Sequence, residues 1–258
     1  MLRRGVPPIL RCAVWISSVI KSSHAHQSKD HADSYRTIGK VRQLDYAWDA
    51  VVEQTFSHES DYDPSLTPNF GNTKYLDYQL PMREKGKAEL SKVLSCLEHV
   101  LGLDYAPLVP SIASVMLRFM STSYAFCALR EMGHNSSWYF PVSQIEHMAW
   151  CRTFRDILAR LHPETTEIME ANGSLAPDSL DPILKHFFLP ILKPEHIFVI
   201  MDMYSLEGFK VLLRFGVALL CLFKRDLDEV SRSRYSILSD DSLCKDRTFF
   251  TCKPRNER

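Results

Sequence analysis

A chain of 258 residues, 45% hydrophobic and 11% aromatic, holds enough apolar material for one sizeable core. Its 31 basic and 31 acidic residues cancel, which excludes a global field of either sign and any nucleic-acid partner that would depend on one. Glycine is scarce at 9 residues, so the composition leans to helix.

In chain order, residues 6–21 space their apolar positions as an amphipathic helix that tolerates Pro7 and Pro8 in its first turn. The Ser- and His-rich stretch from Lys21 to Asp33 reads as a loop. Helical spacing returns over 36–56 through Val41, Leu44, Trp48, Val51 and Val52. A long connection from His58 to Arg83 follows, with Pro64, Pro68, Pro81 and Gly71 set among aromatics. Helices are then expected at 84–101, with Leu90, Val93, Leu94 and Leu97 on one face, and at 108–120 behind Pro107 and Pro110. Ser121 and Ser123 are candidate caps for the next, which ends near Gly133. Further helices are expected at 144–162, 164–172, 178–189, 194–205 and 207–224, with Asn172-Gly173 closing the second of these. Beyond Asp226 the chain is charged, Ser-rich and aperiodic, which reads as an extended tail.

The seven cysteines form no CxxC pair, which suits reduced thiols used as small core residues. His24, His26 and His31 lie in a polar loop without the spacing of a ligand set, so no metal and no cofactor are expected. The best apolar run, Phe215 to Phe223, falls short of the ~20 residues of a membrane span. P-loop, Rossmann, HExxH and GxSxG patterns are absent. Arg3, Arg4 and Arg11 alternate with apolar residues, and no acid occurs before Asp30. That leaves two readings of the first twenty residues, a mitochondrial presequence or the first helix of the domain.

Two motifs at opposite ends of the chain carry a resemblance. The segment from Glu195 to Leu220, with Asp202 and then Glu207-Gly208 before a long apolar helix, resembles the "WD-x-hydrophobic-x-x-EG" signature of TBC domains, with Met201 in place of the usual tryptophan. Glu207-Gly208 would break one helix, and the helix after it would be apolar all round and buried. The opening Arg4-Gly5-Val6-Pro7-Pro8, Leu10-Arg11 and Val14-Trp15 resembles the first helix of that family and favours the domain reading over the presequence. The resemblance implies an all-α TBC (Rab-GAP) helical domain over 1–226, followed by a charged tail over 227–258.

Catalytic members of the family donate an arginine from "I-x-x-D-x-x-R-T-x-P" and a glutamine from "Y-x-Q-G". The first neutralises charge on the transferring phosphoryl group and the second orients water. The matching stretches here are Asp63-Pro-Ser-Leu66-Thr67-Pro68 and Tyr105-Ala106-Pro107. Leu66 stands in the arginine place and Pro107 in the glutamine place, and neither side chain has a donor. A rival finger, Arg36 in Asp33-Ser-Tyr-Arg36-Thr37, sits further upstream than the family spacing implies and would still lack the glutamine. The expectation is a domain without standard catalysis, set against an active Rab GTPase-activating protein with displaced residues.

Pro68-Asn-Phe-Gly-Asn-Thr, Ala106-Pro107-Leu108-Val109-Pro110 and Glu207-Gly208-Phe-Lys210-Val-Leu-Leu-Arg214 resemble the Skywalker-type TBC–TLDc proteins, although no TLDc domain is expected within these 258 residues. In that group a basic pocket on the TBC surface holds a phosphoinositide head group. By position the resemblance assigns Arg11, Lys210 and Arg214 to it. The alternative is that Arg214 pairs with Glu207 or Asp202 and only secures a helix. The implied partners are a Rab- or Arf-type small GTPase and a phosphoinositide-containing membrane, in a cytoplasmic protein peripheral to vesicles or the plasma membrane. Trp138-Tyr139-Phe140-Pro141 and Phe187-Phe188-Leu189-Pro190 are expected to pack as core, and Arg152, Arg155 and Arg160 to form a solvated surface.

Overall fold

The computed structural model describes residues 5–27, 44–56, 68, 70, 81–171 and 173–222, and among them every regular element is a helix. In chain order these are α1 (Pro8–Gln27), α2 (Leu44–Thr55), α3 (Glu84–Leu101), α4 (Val109–Met116), α5 (Thr122–His134) and the single turn α6 (Ser136–Tyr139). They continue with α7 (Gln144–Leu161), α8 (Pro163–Ala171), α9 (Pro177–Leu184), α10 (Pro194–Glu207) and α11 (210–222).

Helix α5 is central because its sequence lets it be. Ala125, Phe126, Cys127, Ala128 and Leu129 are buried at consecutive positions, so most of the circumference is apolar. Helices α1, α2, α3, α4 and α6 all pack on it. Helix α3 presents Leu90, Val93, Leu94 and Leu97 to that core, as their spacing predicts, and turns its Lys85–Glu89 and Lys87–Glu84 pairs to solvent. Helix α10 packs against α1 and α4, burying Ile197, Ile200, Met201 and Tyr204.

A second layer forms where α7 packs on α8 and α9. Helix α11 closes onto it at Gly216, where a Cβ would lie 2.6 Å from the Phe154 ring and 3.2 Å from Ile183. Helix α7 starts with a reciprocal cap: Ser143 Oγ accepts from the Glu146 amide at 3.2 Å, and Glu146 Oε2 accepts from the Val142 amide at 2.8 Å.

Several expectations need correction. Helix α1 runs past Lys21 to Gln27, because buried Ser18, Val19 and Ser22 keep it against its neighbours and Ser22 Oγ donates to the Leu206 carbonyl at 3.2 Å. Helix α4 ends at Met116 and continues to Met120 as turns. Ser121 takes the N-cap position of α5 without capping it; its hydroxyl lies 3.0 Å from that of Ser123. Helix α9 stops at Leu184, not 189: Phe187 and Phe188 adopt left-handed φ of 48° and 61°, which turns Phe187, Phe188 and Leu189 fully into the core. Helix α11 is not buried all round, since Lys210, Arg214, Ala218 and Leu222 form an exposed stripe at i,i+4 spacing.

Tyr139 and Phe140 are closed from solvent, as expected of the aromatic segments, and Arg152, Arg155 and Arg160 are exposed. The expected tail, residues 36–43 and most of the 58–83 connection lie outside the described residues.

Candidate functional site

Helix α10 organises the face on which the candidate residues stand. Asp202 is closed from solvent and collects three groups from the start of the chain. The Val6 amide donates to Oδ2 at 2.7 Å, the Trp15 indole to Oδ1 at 2.8 Å, and Arg11 Nε to Oδ1 at 3.2 Å. The Arg11 guanidinium, 4.9 Å from the Phe119 ring centroid and 5.2 Å from that of Phe198, completes a packed site. Arg11 itself is only 8% exposed. A buried carboxylate must be paired and hydrogen-bonded, and this one is.

The Glu207-Gly208 turn then fixes α11. Gly208 has φ 63° and ψ −147°, and a Cβ there would lie 2.2 Å from the Trp138 carbonyl oxygen, so no other residue fits. The Phe209 amide donates to that carbonyl at 2.9 Å. Tyr139 Oη donates to the Ser205 carbonyl at 3.1 Å, and Tyr204 Oη donates to the Tyr139 carbonyl, which ties α6 to α10 in both directions. Burial drives the Tyr139 phenol up to about 12 and raises that of Tyr204 well above its ordinary value, so both remain protonated donors.

On this base stand Lys210 and Arg214, one turn apart and exposed. Lys210 Nζ lies 4.5 Å from the Trp138 ring centroid. Arg214 Nη1 bonds Glu207 Oε2, with side-chain exposures of 61% and 33%. Of the two carboxylates offered to Arg214 by the sequence, Glu207 takes it, and Asp202 belongs to Arg11. The three assigned cations thus have three different partners. Arg11 faces inward, whereas Lys210 and Arg214 share the solvent stripe of α11.

Pro107, the residue set against the glutamine place by the sequence resemblance, is half-buried between buried Ala106 and Leu108 at the entry to α4. Next to it Tyr105 faces His147 on α7, with ring centroids 6.3 Å apart. His147 Nε2 lies 3.6 Å from Asp181 Oδ1 and 3.7 Å from Cys151 Sγ, while Lys185 Nζ bonds Asp181 Oδ2 at 2.9 Å. A nucleophile relay needs its thiol and carboxylate on opposite ring nitrogens; here both approach the same one. Burial also lifts the Cys151 thiol to about 11. Burial works against the Asp181 carboxylate, but the approach of His147 and the Lys185 hydrogen bond and charge outweigh it and hold its pKa below the ordinary value. The cluster therefore staples α7 to α9 beneath Tyr105. Sequence reading missed it, although His147/Cys151 and Asp181/Lys185 are each i,i+4 pairs. It also missed Trp138 as the platform for Lys210. Leu66 and Arg36 lie outside the described residues.

The sequence model of the Rab-GTPase-TBC domain matches residues 11–227. The chain belongs to that family. This TBC domain is 27% identical over 197 residues to the GTPase-activating protein skywalker of Drosophila melanogaster. The match covers 72% of this chain and 32% of that protein, so the chain spans about a third of its relative's length. Among solved structures it is similar to the TBC domain of Skywalker/TBC1D24 from Drosophila melanogaster, with TM-score 0.68 at 24% identity, over 88% of this chain and 71% of that one. The same domain in complex with inositol(1,4,5)triphosphate gives 0.64 at 22%, over 87% and 74%. The Chlamydomonas flagellar RabGAP TBC domain gives 0.52 at 20%, over 88% and 71%. At these identities the structural likenesses establish the all-helical TBC fold.

Proposed function

We propose that this TBC domain is a non-catalytic regulator or adaptor in vesicle trafficking, which binds a Rab- or Arf-type small GTPase and a phosphoinositide head group. Lys210 and Arg214 are the observation that carries it: two exposed cations one turn apart on α11, with the half-buried Glu207 carboxylate and the Trp138 ring beside them. An exposed ion pair of this kind contributes about 0–1 kcal/mol, so a multiply phosphorylated head group can displace Glu207 from Arg214. Forked guanidinium donors and a neighbouring ammonium suit clustered phosphate oxygens. The complex of a related TBC domain with inositol(1,4,5)triphosphate supports the ligand class. Arg11 enters this reading indirectly, as the residue that holds α1 against α10.

The non-catalytic part rests on Leu66 and Pro107 in the two finger places. Loss of an arginine finger alone lowers the rate by about a thousandfold or more. A second reading, an active Rab GTPase-activating protein, is favoured by the name of the skywalker relative.

Co-sedimentation with vesicles that contain or lack phosphoinositide tests the ligand, with Lys210→Ala/Arg214→Ala alongside. Pelleting that depends on the head group and disappears in the folded variant is expected; equal pelleting of variant and wild type removes the site. Single-turnover GTP hydrolysis across a Rab panel tests catalysis. No stimulation is expected, and stimulation abolished by Arg36→Ala would establish the second reading.

A further inference from the structure

Large aliphatic side chains stand uncovered at the start of α1. Ile9 is 89% exposed and Leu10 50%, directly after Pro7 and Pro8, which are exposed too. Along the same side of the helix follow Ala13, Ser17 and Lys21, all exposed. The outer face of α1 is thus two aliphatics, two small residues and a cation, with no carboxylate. Its inner face, Trp15, Ile16 and Val19, is in the core, and Arg11 is fastened to Asp202. The helix is therefore a fixed part of the domain that holds Ile9 and Leu10 out in solvent.

The charge of the segment indicates what covers them. The first 29 residues contain Arg3, Arg4, Arg11, Lys21 and Lys29 and no aspartate or glutamate, in a chain whose charges otherwise cancel. We propose that the outer face of α1 docks on an anionic lipid bilayer, with Ile9 and Leu10 inserted at the headgroup–acyl boundary and Lys21 against lipid phosphates. The proposal rests on the membrane reading given above and adds to it a contact separate from Lys210 and Arg214.

A bilayer fits this face better than a folded protein. A stable protein interface takes about 800 Å² from each partner around a core rich in aromatics and arginine. Here, among the described residues, the patch is two adjacent aliphatics behind Pro7 and Pro8, and the other strongly exposed ones, Ile145, Leu161 and Leu222, lie on other helices. An interfacial helix needs no shaped pocket: it needs shallow apolar side chains flanked by cations and free of acids. Among the described residues no helix is long and apolar enough to cross a membrane, so this contact lies on the surface.

The test uses the full chain and vesicles of phosphatidylcholine, of phosphatidylcholine with phosphatidylserine, and of that mixture with phosphoinositide. Ile9→Ser/Leu10→Ser should melt like wild type, because both residues are exposed, and should pellet with phosphatidylserine vesicles about tenfold less. Ile9→Trp should gain tryptophan quenching by brominated lipids relative to wild type. Soluble inositol phosphate binding should be unchanged in the Ser double variant, whereas Arg214→Ala should lose only the phosphoinositide-dependent increment. Wild-type pelleting by the double variant, no added quenching in Ile9→Trp, or indifference of wild type to all anionic vesicles overturns insertion. Head-group binding that persists without any Ile9/Leu10 effect removes this proposal and leaves the head-group site standing. Phosphatidylserine binding that needs Ile9 and Leu10 but ignores phosphoinositide does the reverse.

Discussion

Asp202 and Glu207 lie little more than a turn apart on α10, and each holds an arginine from another helix. Around Asp202 the side-chain exposures are 10% and 0%, with an indole and a backbone amide as further donors to the carboxylate. Around Glu207 they are 61% and 33%. The chemistry is the same, but the surroundings reverse its meaning. The first pair is almost closed from solvent, so every donor depends on the carboxylate and the arrangement has little freedom to serve a ligand. Water competes for the second pair at all times, so its arginine is free to exchange one anion for another.

The largest effect should come from breaking the buried pair. Asp202→Ala strands a guanidinium, an indole N–H and the Val6 amide, and should lower the unfolding free energy in urea by about 3–5 kcal/mol. A loss under about 1 kcal/mol would mean the two pairs are alike after all. Next comes the hinge between them. Gly208→Ala forces a side chain into a left-handed turn against the Trp138 carbonyl and should cost about 1–3 kcal/mol or more, read from the same transition. Arg214→Ala sharpens the contrast: stability should move by less than about 1 kcal/mol, while phosphoinositide-dependent pelleting falls about tenfold or more. Destabilisation comparable to that of Asp202→Ala would make Arg214 a structural residue.

The smallest effect is a pH dependence that touches neither pair. Burial depresses His186 below its ordinary 6.5, so on acidification the unfolded chain takes up the proton first. Stability should therefore be level above that value and fall as the pH drops from it towards the folded pKa, and His186→Gln should flatten the melting temperature there. Asp181, whose folded pKa lies below 3.8, keeps its contribution above that value and loses it as the pH falls through the folded pKa. Asp181→Asn should therefore lower stability slightly near neutral pH and flatten the slope at the acid end.

What was legible in the sequence was local. The spacing of Leu90, Val93, Leu94 and Leu97 gives α3 and its buried face directly, and Glu207-Gly208 marks the end of α10. Helix ends set by tertiary contacts were not legible. Nothing near Phe187 announces that two aromatics will accept left-handed backbone to reach the core, because the compensation comes from burial against distant residues such as Tyr204. At the candidate site the cations were named correctly as cations, but their partners were not decided. Asp202 and Glu207 are equivalent offers to Arg214 in a string of letters, and only the path of α1 assigns the first to Arg11. The exposed stripe of α11 was hidden for a related reason: Ala218 and Leu222 read as apolar wherever they point.

The Asp202 hub also has a consequence for how the chain is made. Its hydrogen bonds to Val6, Arg11 and Trp15 span 196, 191 and 187 residues, so α1 leaves the ribosome long before the carboxylate that holds it. At about 5–20 residues per second, roughly 10–40 s of synthesis separate Arg11 from Asp202. Helix α5, which also covers the apolar side of α1, is made well before α10, but the buried pair cannot form until α10 has followed. Closure of the domain is thus postponed until α10 has been made, which leaves α1 open to holding chaperones in the interval.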